Sequence, residues 1–398
     1  MATVHIRRGR AKPLWAGHPW IFAASIERTE GDPADGDLVE VRDDAGRFLA
    51  RGFWNGRSLL RVRVLTREES APPAADLVAA RVRAAVALRV AAGVPDGTEA
   101  WRVLNADGDG LPGVVVDRYG EWLVVQLSVL GMEALLDPLV DALREALEPR
   151  GILLRGGARH AREEGIRGAD RLLGGEEPPE TAWVRERGVL FGVDLRGGAK
   201  TGHFCDQREN RARFAGLTRG RCVLDVFSHT GGFGLHALVH GGAKSVTALD
   251  GSAPALERLR GNAERNRVAD RVEAVEEDGF LALRRREGAG EKYGAVSLDP
   301  PRLAGKKEKV KGALGAMREL HLRGLGLLEE GGILATSCCS GAVTEEQFEE
   351  TLRDAALKAR RTVRILHRGG QGPDHPWSIA APEGRYLKFL LARVTGIA

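Results

Sequence analysis

The sequence predicts an α/β chain: a doubly wound, mostly parallel sheet in the C-terminal half, preceded by a small N-terminal β-barrel and a central α+β domain. Three observations predict it. From about residue 190 onward, apolar strand-like runs alternate with helical periodicity, the pattern of a parallel sheet with crossover helices. Several of those runs end on a carboxylate, a glycine cluster or a thiol, where open α/β sheets hold ligands. Residues 1 to about 70 instead alternate short β-like runs (Leu38-Val39-Glu40-Val41, Leu59-Leu60-Arg61-Val62-Arg63-Val64) with Gly and Asp turns.

A Pro- and Ala-rich joint at 70–76 leads into helical periodicity over 77–92. Strands are expected at 114–116 and 123–127, and a helix at 134–147. A Gly- and Glu-rich joint follows at 173–180. The expected domains are therefore 1–72, 73–185 and 186–398, within the range for a chain of 398 residues. Asn105-Ala106-Asp107-Gly108-Asp109-Gly110 begins like a calcium loop, but its twelfth position is Val116, so a tight acidic turn is the better reading.

Composition excludes some classes. No apolar stretch reaches the roughly 18 residues of a membrane span, and residues 1–5 lack the apolar core of a signal peptide. The four cysteines, Cys205, Cys222, Cys338 and Cys339, have neither metal-ligand spacing nor disulfide-scaffold density. A reduced, cytoplasmic protein without metal or membrane is expected. A net charge of +4 permits a nucleic-acid partner without demanding one.

The expected strand over 221–227 runs through Asp225 to Phe227 and then into Ser228-His229-Thr230-Gly231-Gly232-Phe233-Gly234. Glycines at such a turn let the backbone approach a ligand. The next strand, 245–249, ends at Asp250, placed to bind a ribose diol; Ser252 then caps a helix. A third, 272–275, leads to Asp278, placed to accept from an adenine amino group. The bland alternative is that the glycines merely turn the chain and the aspartates cap helices. Four ordered features at successive strand ends favour a nucleoside-bearing cofactor. Without G-x-G-x-x-G spacing or a Walker lysine, S-adenosylmethionine is preferred over NAD or ATP.

Farther on, Leu298-Asp299-Pro300-Pro301 and Cys338-Cys339-Ser340-Gly341 each close an apolar run. A thiol nucleophile beside an acid that contacts the base is what attack on a pyrimidine requires. Successive residues of an extended segment point to opposite faces, so only one of the two cysteines should enter the pocket. Buried cysteines are more often core residues than nucleophiles, and that reading holds for Cys205, Cys222 and Cys338.

The whole set resembles class I methyltransferases, and one branch of them in particular: bacterial 23S rRNA cytosine-C5 methyltransferases with an N-terminal PUA domain and a central EEHEE-type domain. Gly17-His18-Pro19-Trp20-Ile21-Phe22, Gly52-Phe53-Trp54-Asn55, Gly108-Asp109-Gly110-Leu111-Pro112-Gly113 and Asp117-Arg118-Tyr119 are similar to that family's motifs. So are Lys200-Thr201-Gly202-His203-Phe204-Cys205-Asp206-Gln207-Arg208, Asp374-His375-Pro376 and Glu383-Gly384-Arg385-Tyr386-Leu387-Lys388. Cys205 and the doubled Cys338-Cys339 depart from the pattern.

The resemblance implies S-adenosylmethionine as cofactor, Cys339 as nucleophile and Asp299 as acid and cofactor neighbour. It implies that Gln207 and Arg208 hold the methionine end, with Asp225, Phe227, Gly231, Gly232, Asp250, Ser252 and Asp278 around the rest. On the RNA side it implies Lys200, Pro300, Pro301 and Arg302, together with the basic run Lys306, Lys307, Lys309 and Lys311. Such a run is otherwise usually a solvated face. The expected substrate is 23S rRNA, naked or in an assembling subunit, and the protein a monomer or homodimer. Two competing functions are a related guanine methyltransferase, which needs no thiol, and a non-catalytic RNA-binding or ribosome-assembly factor.

Overall fold

The computed structural model of the chain describes residues 1–156, 159–305 and 307–396. Lys306 lies outside the described residues, as does the side chain of Lys307. The chain divides into two compact units. The first comprises 1–184, 193–205 and 373–384, and the second 185–192, 206–372 and 385–398.

In the first unit, β1 (Thr3–Ile6), β2 (Trp20–Phe22), β3 (Ile26–Glu30), β4 (Leu38–Arg42), β5 (Phe48–Trp54) and β6 (Leu60–Thr66) form a six-stranded sheet of order β2-β6-β5-β4-β1-β3. Alternation along β4 and β6 turns Val39, Val41, Val62 and Val64 into its core with Val4 and Ile6. A short helix, α1 (Lys12–Trp15), precedes β2.

After α2 (Ala74–Ala91) comes a second sheet, of order β11-β10-β9-β8-β7. Its strands are β7 (Ala100–Asn105), β8 (Val114–Tyr119), β9 (Trp122–Leu127), β10 (Gly151–Leu154) and β11 (Arg171–Gly175), with α3 (Leu136–Leu147) between β9 and β10. A short α4 (Arg159–Glu163) follows β10, and a two-stranded ribbon of β12 (Ala182–Glu186) and β13 (Val189–Val193) follows β11.

The acidic turn at 105–110 is a 3-10 turn, and its carboxylates are taken by protein partners. Asp109 accepts both guanidinium nitrogens of buried Arg89 at 2.5 and 2.7 Å. Asp107 accepts from the Trp20 indole and from Arg63. The Asp374–Pro376 motif returns to this place. Arg89 donates to the Asp374 carbonyl, the Arg102 amide to its carboxylate, and Asn105 to the Pro376 carbonyl. Gly108 is required there, because a Cβ would stand 2.0 Å from the Pro376 oxygen.

The second unit is built on a seven-stranded sheet of order β16-β15-β14-β17-β18-β20-β19. Its strands are β14 (Cys222–Val226), β15 (Ser245–Asp250), β16 (Val272–Glu276), β17 (Tyr293–Leu298), β18 (Leu328–Cys338), β19 (Arg361–Gly369) and β20 (Lys388–Gly396). The first five pair in parallel, whereas β20 lies antiparallel between β18 and β19.

Helices α5 (Arg208–Ala215), α6 (Gly232–Val239), α7 (Ala253–Arg265), α8 (Gly279–Gly288), α9 (Val310–Leu327) and α10 (Glu345–Ala359) complete the unit. β17 is buried throughout, as a parallel strand covered on both faces must be. The strand order reverses between β14 and β17. A crevice at such a switch point, outside the carboxyl ends of the strands, is the expected ligand site.

Candidate active site

The two strands at the switch point present Phe227, just past β14, and Asp299, just past β17. The Asp299 amide approaches the Val226 carbonyl at 3.4 Å. Between β14 and α6 the backbone turns sharply: Phe227, His229 and Gly231 all have positive φ, at +62°, +48° and +91°. Gly231 caps α6, and a Cβ there would stand 3.0 Å from side-chain atoms of Leu235 and Leu259. At Gly232 a Cβ would meet Arg211 at 2.9 Å.

Asp250, at the end of β15, accepts from the His229 amide at 2.8 Å and from the Ser252 amide at 2.9 Å. Its carboxylate thus ties the glycine turn to the start of α7 and keeps lone pairs for a further donor. Ser252 caps α7, accepting from the Ala255 amide, and its side chain is exposed. Asp278 caps α8 through Oδ1, which accepts from the amides of Phe280 and Leu281; no bond to Oδ2 is seen among the described residues. The capping role weighed from the sequence is real for Ser252 and Asp278, and it leaves Oδ2 of Asp278 for a ligand. Phe227 meets Phe280 edge-on, with centroids 6.0 Å apart.

Asp225 does not face the crevice as a ligand would require. It is 1% exposed, and its two oxygens accept from the Ser297 hydroxyl and from the Gly234 amide at 2.9 Å. Burial, reinforced by the nearby charges of Asp299 and Asp250, pushes its carboxyl up to about 6. Its work is to join β14, β17 and α6 beneath the turn.

Gln207 differs from expectation in a similar way. Its amide nitrogen donates to Asp299 Oδ1 at 2.8 Å and to Ser337 Oγ at 3.0 Å, and its amide oxygen accepts from Asn210 at 2.6 Å. Those bonds aim the Asp299 carboxylate. Arg208 beside it is buried, with Nε 3.4 Å from Glu209.

Cys338 ends β18 and is packed in the apolar core, while Cys339 turns out of it. The Cys339 thiol lies 3.9 Å from the Pro300 carbonyl oxygen, so it stands at the loop that follows Asp299. Pro300 is buried, and Pro301 and Arg302 are exposed. Lys200 belongs to the first unit, where it is exposed with its ammonium 4.5 Å from the Phe204 ring centroid. Sequence reading missed Ser297, Ser337 and Asn210, single polar residues inside apolar runs or helices whose partners come from distant segments. It also gave Lys388 no role, although that residue closes a quoted motif.

A family model for PUA-like domains matches residues 4–67, and one for S-adenosylmethionine-dependent methyltransferases matches residues 161–383. The ribosomal RNA large subunit methyltransferase I of Photobacterium profundum is 39% identical over 97% of this chain and 98% of its own length. The chain belongs to the ribosomal RNA large subunit methyltransferase I family.

The family protein from Aeromonas salmonicida is 38% identical, over 98% of both chains. A crystal structure provisionally named a methyltransferase, complexed with SAH, superposes with a TM-score of 0.85 over 99% of this chain and 100% of that one. At 22% identity this likeness speaks for the fold. Membership makes the chain an S-adenosylmethionine-dependent methyltransferase, with a PUA-like N-terminal domain and a class I methyltransferase fold in its second unit.

The residues at these strand ends fit that cofactor. They offer a glycine turn without Cβ atoms, a carboxylate at the end of β15, an open carboxylate oxygen on Asp278, and a Ser228 hydroxyl buried without a partner among the described residues. Among the described residues no helix is long and apolar enough to cross a membrane.

Proposed function

We propose that the chain methylates carbon 5 of a cytosine in large-subunit ribosomal RNA, through a covalent adduct between Cys339 and carbon 6. The observation that carries this reading is the thiol of Cys339 at the Pro300 carbonyl, directly after Asp299, on loops that follow the adjacent parallel strands β18 and β17. A relative with 39% identity across the chain that carries the ribosomal RNA name supports the substrate class.

Carbon 5 of cytosine is a weak nucleophile. When the Cys339 thiolate forms a bond to carbon 6 and Asp299 protonates or hydrogen-bonds ring nitrogen 3, the electrons of the carbon 5–carbon 6 double bond become enamine-like at carbon 5. Gln207, itself bonded to Ser337, holds Asp299 for that contact. When bound, S-adenosylmethionine supplies an electrophilic methyl group. A base then takes the carbon 5 proton, the freed pair restores the double bond, and the sulfur leaves with the electrons of its bond to carbon 6.

In this reading Asp250 receives the ribose, Asp278 Oδ2 the adenine amino group, and Arg208 the methionine carboxylate. The turn at Phe227, Gly231 and Gly232 provides close backbone approach, while Pro300 and Pro301 stiffen the loop that presents the extruded base. Residues 1–72, with Lys200, Arg302, Lys306 and Lys307, serve RNA binding, and residues 73–185 form the central domain. Residues 186–398 carry the transfer, in the cytoplasm.

RNA carrying 5-fluorocytosine tests the reading, because fluorine cannot leave as a cation and elimination stalls after transfer. We expect an adduct that survives denaturation in the parent and in Cys338→Ala, and none in Cys339→Ala, which should still bind cofactor. Trapping that depends on Cys338 instead would move the nucleophile. Methylation that persists without either thiol would reject the mechanism.

A further inference from the structure

Lys388 opens β20, where its Cα pairs with that of Cys338 in the antiparallel ladder with β18. Though a lysine, it is only 5% exposed. Its ammonium donates to the Ser340 carbonyl at 2.7 Å and to the Tyr386 carbonyl at 3.0 Å. The first of these belongs to the residue immediately after Cys339, so a buried cation is fastened to the turn that presents the thiol.

A buried ammonium is costly without a compensating charge. The charged groups that face it are Arg385 and Glu345, and these pair with each other at 2.7 Å. Among the described residues, its ionisable neighbours also include the thiols of Cys338 and Cys339. Burial draws Lys388 below the ordinary lysine range, while the two thiols act in the opposite direction. Cys338 lies in the apolar core, whereas Cys339 is partly exposed. Of the two thiols, the solvent-accessible one is Cys339, at the Pro300 carbonyl and next to the residue that Lys388 holds.

We propose that Lys388 is a positioning residue for methyl transfer: its ammonium anchors the Cys339 turn through Ser340 and stabilises the Cys339 thiolate. The proposal rests on the reading of Cys339 as nucleophile. The thiol proton goes to solvent before attack, so no further reactant is needed. Because burial lowers the point at which Lys388 itself loses its charge, the support fades at the alkaline end of the range.

The test is the pH dependence of Cys339 alkylation by iodoacetamide in the full chain, read by mass spectrometry of the peptide carrying it in a Cys338→Ala background. The midpoint is expected below the ordinary thiol value of about 8.5. Lys388→Gln keeps an N–H donor for the carbonyls but removes the charge. It should raise the midpoint by about one unit and slow alkylation at pH 7 about tenfold. Lys388→Arg should keep the low midpoint.

An unshifted midpoint in Lys388→Gln, or a raised one in Lys388→Arg, overturns the proposal. If Lys388→Gln does not fold, the Cys338→Ala protein with its native Lys388 decides: a midpoint at or above about 8.5 rejects the proposal, and a lower one shared by Lys388→Arg supports it. Alkylation needs no RNA, so this result is separate from the nucleophile assignment, which falls instead if Cys339→Ala still methylates.

Discussion

Asp225 has both carboxylate oxygens engaged inside the sheet, and its carboxyl is pushed from 3.8 up to about 6, by burial first and then by its acidic neighbours. The unfolded chain releases this proton around 3.8 and the folded chain around 6. The stabilising contribution is therefore fully present below the lower value and is lost as pH rises through the upper one. The change is on the order of 1.4 kcal/mol per unit of displacement. Asp225→Asn can still accept from the Gly234 amide and can donate to Ser297, but does not ionise. We expect the stability of the parent minus that of this variant, measured by urea unfolding, to fall across that interval and to stay flat above it. A difference that does not vary with pH would show that folding does not displace this carboxyl. Gln207 teaches a related point: its type suited a ligand contact, yet three protein partners from separate segments occupy its amide.

At the scale of elements, the glycine turn between β14 and α6 combines a left-handed cap with a crowded space. An L-residue in that conformation costs about 1–2 kcal/mol, before any contact between its Cβ and Leu235 or Leu259. Gly231→Ala is therefore expected to lower stability by about 1–3 kcal/mol, seen as a lower urea midpoint at unchanged slope. An unchanged midpoint would mean that the turn relaxes freely. Element positions were legible where periodicity and burial agree. The expected strand at 245–249 is Ser245–Asp250, and that at 272–275 is Val272–Glu276. α6 starts at Gly232, inside the segment that reads as a glycine turn, because Gly232 and Gly234 belong to its first turn. β19 gave no clear signal, since Arg361, Arg364, His367 and Arg368 interrupt its apolar pattern at the sheet edge.

For the molecule as a whole, RNA affinity should carry an electrostatic component if the basic run reaches phosphates. Lys309 and Lys311 are exposed around the start of α9. Replacing Lys306, Lys307, Lys309 and Lys311 by alanine is expected to reduce the slope of log affinity against log salt by about 0.7–0.9 for each lost contact. Retention of the parental slope in a filter-binding or anisotropy series would make the run a solvated face.

Periodicity and composition alone predict the α/β class and the order of the strands, and they put a thiol, a carboxylate before two prolines and a glycine turn at the ends of apolar runs. These are local properties, written in periodicity and in the residues that close each apolar run. Tertiary structure alone decided which polar side chains stay available. Asp225, Gln207 and Lys388 are each committed by partners on other segments: β17 and α6, Asp299 and Ser337, and the carbonyl of Ser340. The same holds for residues 373–384, which a reading along the chain assigns to the second unit but which belong to the first. The physical reason is common to all of these cases. Buried polar groups must find partners, and the partners are chosen by the folded arrangement, not by neighbours in sequence.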